Sequence, residues 1–259
     1  MSRSRIVAAA VVLIIAVGVG GYVAYDQVLR GDTVAPLALP NASPATAGVA
    51  SSADPTGSSP TGSDPAASAD PSTSAAGGSL TGTWTVTTGS QAGYRVREQL
   101  ANLPAESDAV GRTDKVTGTM TVTGDGAAST VTAGTLSVDT TSIASDKSQR
   151  DQRLRTEGLQ TDSYPTASFT LTQPLTIPVA ATSGTSSDVT LVGDLTLHGV
   201  TKSVQIPAKA QLANGTIQVA GSISFPLSDY QMVAPNIGGF IVSIADQGTL
   251  EFVVVFARS

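Results

Sequence analysis

Residues 189–225 read VTLVGDLTLHGVTKSVQIPAKAQLANGTIQVAGSISF. Apolar and polar residues alternate through this stretch, and the alternation restarts after His198-Gly199 and after Asn214-Gly215. A period of two is typical of half-buried strands, and Asn-Gly between two such runs indicates a hairpin turn. The stretch therefore predicts three consecutive antiparallel strands, each with one apolar face.

The same alternation extends from Trp84 to Phe256 and predicts about eight strands with almost no helix. Such a pattern is typical of an all-β sandwich or a closed antiparallel barrel. Glycines on the apolar faces favour strong curvature and hence a barrel. In STVTAGTLSVD (129–139) the phase of the alternation shifts near Gly134, which predicts a β-bulge or a bend.

The inner faces of this barrel are almost wholly aliphatic, and few aromatic residues are available to fill them. An eight-stranded barrel is either just filled by side chains or holds one apolar ligand. Both interpretations stay open from the pattern alone. The candidate lumen residues are Trp84, Val86, Tyr94, Val96, Val116, Met120, Val122, Phe169, Leu171, Leu191, Leu195, Val204, Ile206, Ile217, Val219, Ile223, Phe225, Phe252 and Val254.

One short helix is predicted over residues 147–157. Asp146 is its candidate N-cap and Gly158 its candidate terminator. Leu154 is its one apolar residue, so we expect the helix to lie on the surface.

Residues 1–30 are predicted to be an N-terminal membrane anchor. Positions 6–25 carry no charge, and about twenty apolar residues in a helix span the hydrocarbon core of a bilayer. Arg3 and Arg5 before the segment, with Asp26 after it, predict a single pass with the N-terminus inside the cell. A cleaved signal peptide is the main alternative, and a buried helix of the folded domain is a weaker one.

Residues 31–79 are predicted to be a disordered linker, and residues 80–259 the folded domain. The linker consists mainly of Ala, Ser, Pro, Gly and Thr, without an aromatic residue, Lys or Arg. Such a segment buries too little apolar surface to offset the entropy of ordering it. We therefore expect a flexible tether between the membrane and an extracytoplasmic barrel.

Composition excludes several classes of function. The chain has no cysteine and one histidine, so disulfide scaffolds, thiol catalysis and the usual zinc sites are excluded. A net charge of −6 disfavours a nucleic-acid partner, because nucleic-acid binding needs clustered Lys and Arg. Nucleophile-elbow, phosphate-loop and dinucleotide motifs are missing, so the sequence predicts a protein that is not an enzyme and has no cofactor or metal.

Three blocks of sequence resemble the YceI-like family. RDQRLRTEGLQTDSYPTASFTL (150–171) is similar to the family's Arg-Asp-x-x-Leu-Arg helix and its Tyr-Pro-x-Ala-x-Phe strand. LVGDLTLHGVTKSVQIP (191–207) resembles its Gly-x-Leu-Thr-x-x-Gly-Val-Thr hairpin, and FPLSDYQMVAPNIGGFIVSIADQGTLEF (225–252) its C-terminal stretch. The blocks keep the family's order and spacing, and the resemblance covers roughly residues 82–257.

The resemblance implies a lipocalin-like barrel that binds an isoprenoid or another long-chain lipid outside the bacterial cytoplasm. The chain departs from the family in one strand, where a Phe-x-Val-x-His pattern is replaced by Tyr94-Arg95-Val96-Arg97-Glu98. We interpret the following ANLPAESDAVGRTDKV as an insertion that reshapes the mouth of the barrel. Any role of the family's histidine at this position is absent here.

Four residues are candidates for the mouth of the barrel: Arg150, Asp151, Leu154 and Tyr164. Arg150 and Asp151 could clamp a lipid head group, although an ion pair that ties the helix to the barrel rim is the favoured interpretation. Tyr164 is most simply part of a turn before a strand, and alternatively donates a hydrogen bond to a head group.

His198 is expected in a turn with a solvated side chain, because no partner for catalysis or metal binding accompanies it. The segment APNIGGF (234–240) is interpreted equally as a lid or as a long hairpin loop.

The sequence thus predicts a membrane-tethered, extracytoplasmic protein that sequesters a long-chain amphiphilic lipid in its lumen. A filled barrel acting in cell-surface interaction or stress protection is the alternative, and a hydrolase that uses His198 is a third hypothesis. The sequence carries no signal for an oligomeric state.

Overall fold

The computed structural model describes residues 34–40, 79–100, 106–124, 129–234 and 241–259. Most of this chain is extended, in short and long β-strands joined by tight turns. The strands are β1 (Gly82–Val86), β2 (Gln91–Leu100), β3 (Glu106–Thr113), β4 (Val116–Thr123), β5 (Thr130–Asp139), β6 (Ala144–Ser145), β7 (Thr166–Leu171), β8 (Leu175–Thr176), β9 (Ser187–Leu197), β10 (Val200–Ala213), β11 (Thr216–Pro226) and β12 (Ile241–Arg258).

Eight of these strands form a closed antiparallel barrel in the order β1-β4-β5-β7-β9-β10-β11-β12, and β12 pairs back with β1. Closure leaves no free sheet edge in the ring, which removes the usual risk of edge-to-edge association. The prediction of an all-β, antiparallel barrel of about eight strands is confirmed.

The longest strand, β12, gives the barrel a taller wall on one side. Its first part pairs with β2, its last part pairs with β1, and β2 continues the sheet to β3 and β6. The buried Ser90 hydroxyl accepts a hydrogen bond from the Val255 amide at 3.0 Å where β1 gives way to β2. The Val255 amide therefore has a hydrogen-bond acceptor at this break in the strand pairing.

Residues 106–113 lie within the stretch that is interpreted as an insertion. They form β3, which pairs with β2 from Gln99↔Glu106 to Ala92↔Thr113. The stretch ESDAVGRT has poor alternation, and its strand is stabilised by ladder hydrogen bonds and cross-strand ion pairs instead.

Two hairpin turns fix the register of β9, β10 and β11. His198-Gly199 has φ values of 51° and 73°, and Asn214-Gly215 has 52° and 73°. Two successive positive φ angles are those of a type I′ turn, whose twist matches that of paired strands. The hairpins predicted at both positions are therefore present.

A β-bulge interrupts β5 near the predicted position. Thr121 pairs with Ala133, whereas the next residue, Val122, pairs with Val131. Thr132 is therefore the extra residue, and it bends the strand next to Gly134.

The short helix differs from its prediction. Helix α1 (Ser148–Arg153) continues as one π-helical turn (Leu154–Gly158). Asp146 does not cap it, because its carboxylate bonds the side chain of Arg150. The helix ends near Gly158 as expected, but it is only partly on the surface, since Asp151 is buried.

A second helix, α2 (Val179–Thr182), was not predicted. Its Ala181 is 2 % exposed and packs into the core cluster that contains Leu80 and Trp84. Four residues are too few to show a helical period, so the sequence pattern gives no signal for it.

Residues 34–40 lie against the outside of the barrel. Leu39 is 4 % exposed and packs against Ala220 and Val253. This part of the chain departs from the predicted disordered linker, because its leucines find an apolar surface that composition alone does not show.

The predicted membrane helix over 6–25, and the linker over 41–78, lie outside the described residues. Within the described part of the chain, neither helix has the length and apolarity needed to cross a bilayer.

Candidate functional site: the barrel lumen

The lumen contains a cavity, here called chamber 1, of about 180 Å³. Inward side chains of most barrel strands line it, and the turns around α1 and Met232 cover one side. Val233 at its rim is 76 % exposed, so the chamber adjoins solvent there. Its walls are mainly aliphatic and aromatic, which suits an apolar ligand.

A smaller cavity of about 80 Å³, chamber 2, lies toward the other end of the barrel. Helix α2 and Leu80 cover this end, and the core around Trp84 and Val122 fills the space beside it. Trp84 is 2 % exposed and donates from Nε1 to the Leu80 carbonyl at 2.9 Å.

Five side chains line both chambers and form a waist between them. Two of them are aromatic, and each ring lies on a glycine of a neighbouring strand: a Cβ at Gly193 would be 2.5 Å from Phe169 Cζ, and one at Gly221 would be 2.9 Å from Phe252 Cζ. The waist residues are Leu136, Phe169, Leu191, Phe252 and Val254.

The Phe169 and Phe252 rings therefore occupy the space that side chains at Gly193 and Gly221 would fill. At Gly134, in contrast, an added Cβ would make only ordinary contacts, with its nearest atom, Leu171 Cβ, at 3.7 Å.

Replacing Gly193 by Ala is expected to lower the free energy of unfolding by about 1–3 kcal/mol, because overpacking of a core costs that much. The new methyl group would lie 2.3 Å from the Thr170 carbonyl oxygen, which is backbone and cannot move aside. Gly134→Ala is the matched control and should change stability by less than about 1 kcal/mol. Denaturant unfolding checks both, and equal losses would contradict the role assigned to Gly193.

A polar group stands at one place in the wall of chamber 1. Glu98 is 3 % exposed, and its Oε1 accepts from Arg150 Nη2 at 2.5 Å. Arg150 also pairs with the exposed Asp146, and its Nε is buried without a partner among the described residues. Burial disfavours the charged guanidinium, but the hydrogen bond and charge of Glu98 outweigh it and raise the pKa of Arg150.

The Tyr94 ring also lines chamber 1, and its hydroxyl is buried without a partner among the described residues. Burial raises the pKa of Tyr94 to about 12, with Arg150 acting in the opposite direction. The phenol therefore stays protonated at neutral pH and keeps a free donor. Tyr94 O–H and Arg150 Nε–H are thus two donors in the wall of an apolar cavity that have no partner in the described part of the chain.

Because of Tyr94, we expect the free energy of unfolding to fall between about pH 10 and pH 12. Its folded pKa lies above the unfolded value, so the unfolded chain releases the proton first and stability falls as pH rises through this window. Tyr94→Phe should flatten that part of the pH profile. Denaturant unfolding at several pH values checks this, and an unchanged slope in the variant would contradict the assignment.

The other mouth candidates lie in different places. Leu154 lines chamber 1, as does Arg150. Asp151 is buried and accepts from the Ser145 amide at 3.0 Å and from its hydroxyl at 2.6 Å, which ties α1 to β6. Tyr164 does not line either chamber and packs against His198 and Gly199.

His198 lies in the predicted turn, but the expectation of a solvated side chain is wrong. The ring is 9 % exposed, lies 4.3 Å from the Tyr164 ring and shares a 3.0 Å hydrogen bond between Nδ1 and the Tyr230 carbonyl. The adjacent Gly199 lets Tyr164 approach and cover the imidazole. In the described part of the chain, no three residues of the metal-ligating types stand together.

Most candidate lumen residues line the two chambers. Those in chamber 1, chamber 2 or both are Tyr94, Val96, Val116, Met120, Phe169, Leu171, Leu191, Leu195, Ile206, Ile217, Val219, Ile223, Phe225, Phe252 and Val254. Four others lie beside the chambers in the hydrophobic core: Trp84, Val86, Val122 and Val204.

Several lining residues were missed by the sequence analysis. Glu98 is the main one, although the alternation Tyr94, Val96, Glu98 indicates that it faces inward. It stands where the resemblance places the family's histidine, and it pairs with Arg150. Ile143, Leu159 and Met232 come from turns, where no periodic signal exists.

The fold and the site define a closed antiparallel barrel with an internal, largely apolar cavity. The YceI-like domain model matches residues 84–256. The chain therefore belongs to the YceI-like family.

The chain is similar to solved structures of low sequence identity. A polyisoprenoid binding domain from Saccharophagus degradans is 19 % identical with a TM-score of 0.52, covering 69 % of this chain and 99 % of that one. BcnA of Burkholderia cenocepacia is 19 % identical with a TM-score of 0.47, covering 64 % of this chain and 95 % of that one. No curated protein sequence matches the chain.

Proposed function

We propose that this protein binds an isoprenoid or another long-chain amphiphilic lipid in the barrel lumen. The observation that carries the proposal is chamber 1, an apolar cavity whose wall holds two donors without a partner among the residues that the structure describes. Each methylene that leaves water contributes roughly 0.8 kcal/mol, so a long chain binds tightly without polar contacts. The polyisoprenoid binding domain with this fold supports the choice of ligand.

The chain of the ligand occupies chamber 1. A longer chain reaches chamber 2 only by passing the waist between the Phe169 and Phe252 rings. The waist therefore limits chain length unless these rings change rotamer.

The head group of this ligand is uncharged and accepts hydrogen bonds. Arg150 is already paired with Glu98 and Asp146, and Asp151 adds a third carboxylate to the surroundings of Tyr94. A phosphate would bring negative charge next to the desolvated Glu98, and like charges in a poorly hydrated site repel strongly. A carbonyl oxygen, in contrast, can accept from Tyr94 Oη and Arg150 Nε.

The filled barrel is the weaker alternative. It requires side chains to occupy the lumen, whereas the two chambers leave space in its centre.

We further propose that residues 6–25 anchor the protein in the cell membrane as a single pass, with the N-terminus inside and the barrel on the extracytoplasmic side. Arg3 and Arg5 before the apolar run support this orientation. Flotation of the full chain with vesicles, compared with a chain that starts at residue 31, tests the anchor. If the full chain stays at the bottom of the gradient, the anchor is wrong.

Competition against diphenylhexatriene, a fluorescent hydrocarbon probe without a head group, tests the ligand class on delipidated protein. A prenyl quinone should displace the probe at least about tenfold better than a prenyl phosphate of the same chain length. Tyr94→Phe should weaken quinone binding and leave binding of the probe unchanged. If neither prenyl lipid displaces the probe, the isoprenoid assignment is wrong, and if the phosphate binds better, the head-group assignment is wrong.

A further inference from the structure

Residues 34–40 form an extended strap across the outer wall of the barrel. Leu39 is buried between Ala220 and Val253, and Leu37 packs at the edge of the same cluster. The polar contacts of the strap lie on both sides of these leucines. They are Arg95 Nη2 to the Val34 carbonyl at 2.8 Å, Arg112 Nη2 to the Ala35 carbonyl, the Leu37 amide to Glu251 Oε2 at 3.3 Å, and Gln211 Nε2 to the Pro40 carbonyl at 3.1 Å.

The barrel surface below the strap carries a buried acidic residue, Glu251, that contacts it. Glu251 points outward from β12, between the inward Leu250 and Phe252, and yet it is only 3 % exposed. Its carboxylate forms ion pairs with two arginines: Oε1 lies 2.7 Å from Arg112 Nη2, and Oε2 lies 3.5 Å from Arg95 Nη2. The strap covers the Glu251 carboxylate and donates the Leu37 amide to it. This contact is specific, because burying a carboxylate without partners would cost free energy.

The strap also has a fixed direction relative to the lumen. Val34 is held by Arg95, whose neighbours Tyr94 and Val96 line chamber 1. Pro40 is held by Gln211, which lines chamber 2. The chain that precedes the strap therefore leaves the barrel beside chamber 1.

We propose that the strap shortens the membrane tether and holds the chamber 1 half of the barrel near the bilayer. This inference rests on the proposed membrane anchor. With the strap docked, only residues 26–33 separate the anchor from the barrel, and they span at most about 28 Å. Without it, residues 26–78 separate the anchor from the barrel, and a stretch of that length spans at most about 180 Å.

The docked strap affects lipid binding through the position of the barrel relative to the bilayer. A lipid that leaves the bilayer meets the half of the barrel that carries Tyr94, Glu98 and Arg150. The docked tether thus restricts the barrel to the region where such lipids reside.

Energy transfer from the barrel to the vesicle surface tests the proposal with the full chain. The chain has no cysteine, so Val233→Cys at the rim of chamber 1 and Val179→Cys on α2 each accept a single donor dye. The acceptor is a lipid with a dye on its head group in phosphatidylethanolamine–phosphatidylglycerol vesicles. Transfer should be higher from position 233 than from position 179.

The strap is released by Leu39→Asp, which places a charge between Ala220 and Val253. Ala38→Asp is the matched control, because Ala38 is exposed on the same strap. Leu39→Asp should reduce transfer from position 233 by about half, whereas Ala38→Asp should leave it unchanged. Leu37→Ser/Leu39→Ser repeats the release without a charge, in case the aspartate disturbs the barrel.

Unchanged transfer in both released variants, with the barrel folded by circular dichroism, overturns the proposal. Equal transfer from positions 179 and 233 in the intact chain overturns the assigned orientation. Failure of the intact chain to float with vesicles overturns the anchor and this proposal together. Lipid binding, measured separately by displacement of the fluorescent hydrocarbon probe, is unaffected by that last outcome.

Discussion

Replacing Arg150 by Met is expected to lower the free energy of unfolding by about 3–5 kcal/mol, the cost of removing one partner from a buried ion pair. The variant leaves the Glu98 carboxylate, which is 3 % exposed, in the wall of an apolar cavity without its guanidinium. Denaturant unfolding near neutral pH measures the loss.

Arg153 supplies the matched control for this prediction. It stands on the same helix and pairs with Glu157 at 2.7 Å, but both side chains are more than 40 % exposed. Arg153→Met should cost less than about 1 kcal/mol, as exposed pairs do. Glu98→Gln in the Arg150→Met background should recover part of the loss. Equal effects of the two arginine variants would show that the Glu98–Arg150 pair is not desolvated.

Leu195→Glu is expected to abolish lipid uptake. Leu195 is 5 % exposed and faces chamber 1, so the new carboxylate would stand in the apolar part of the lumen. A charge there has to stay hydrated, and the water it retains excludes the hydrocarbon chain. Binding is measured by displacement of the fluorescent hydrocarbon probe from folded protein.

Thr190→Glu is the control, because Thr190 is exposed on the same strand and faces outward. Its lipid uptake should equal that of the parent. Leu191→Trp gives a second test in case Leu195→Glu does not fold, since a larger apolar side chain at the waist should block long chains and spare short ones. A folded Leu195→Glu variant that takes up lipid normally would show that the lumen is not the binding site.

The barrel could be predicted from the sequence because its strands alternate strictly. In β9 to β11 nearly every second residue is apolar, and the two type I′ turns carry glycine at their second position. One-sided burial then fixes the register, as a slip of one residue would expose the whole apolar face. Strand β3 escaped prediction because charged residues on it pair with β2 and β12 rather than face a core.

The site was predicted less completely than the fold. Alternation finds which residues face inward, but it does not tell a filled lumen from a hollow one. Gly193 and Gly221 illustrate the difference. From the sequence, a glycine on an inner face is compatible with open space, but an aromatic ring from a neighbouring strand packs against each of these two. Such pairings depend on register across strands and not on spacing along one strand.

Glu98 and the strap depend on contacts that are distant in sequence. Glu98 is neutralised by Arg150 from a helix that follows β6, and Leu37 meets Glu251 from the last strand. Composition places residues 34–40 in a tether, because Ala, Pro and isolated leucines give no periodic signal. The apolar and charged groove that receives them exists only once the barrel has closed.

The central claim is that the lumen holds a long-chain amphiphilic lipid. Native mass spectra of residues 31–259, exported to a bacterial periplasm and purified without detergent, test it most directly. The chain should start at residue 31 so that the strap still covers Glu251. We expect an added mass that organic solvent releases and that corresponds to a long-chain lipid with an uncharged head group. A bare protein mass that stays bare after incubation with quinones, polyprenyl phosphates and fatty acids would contradict it.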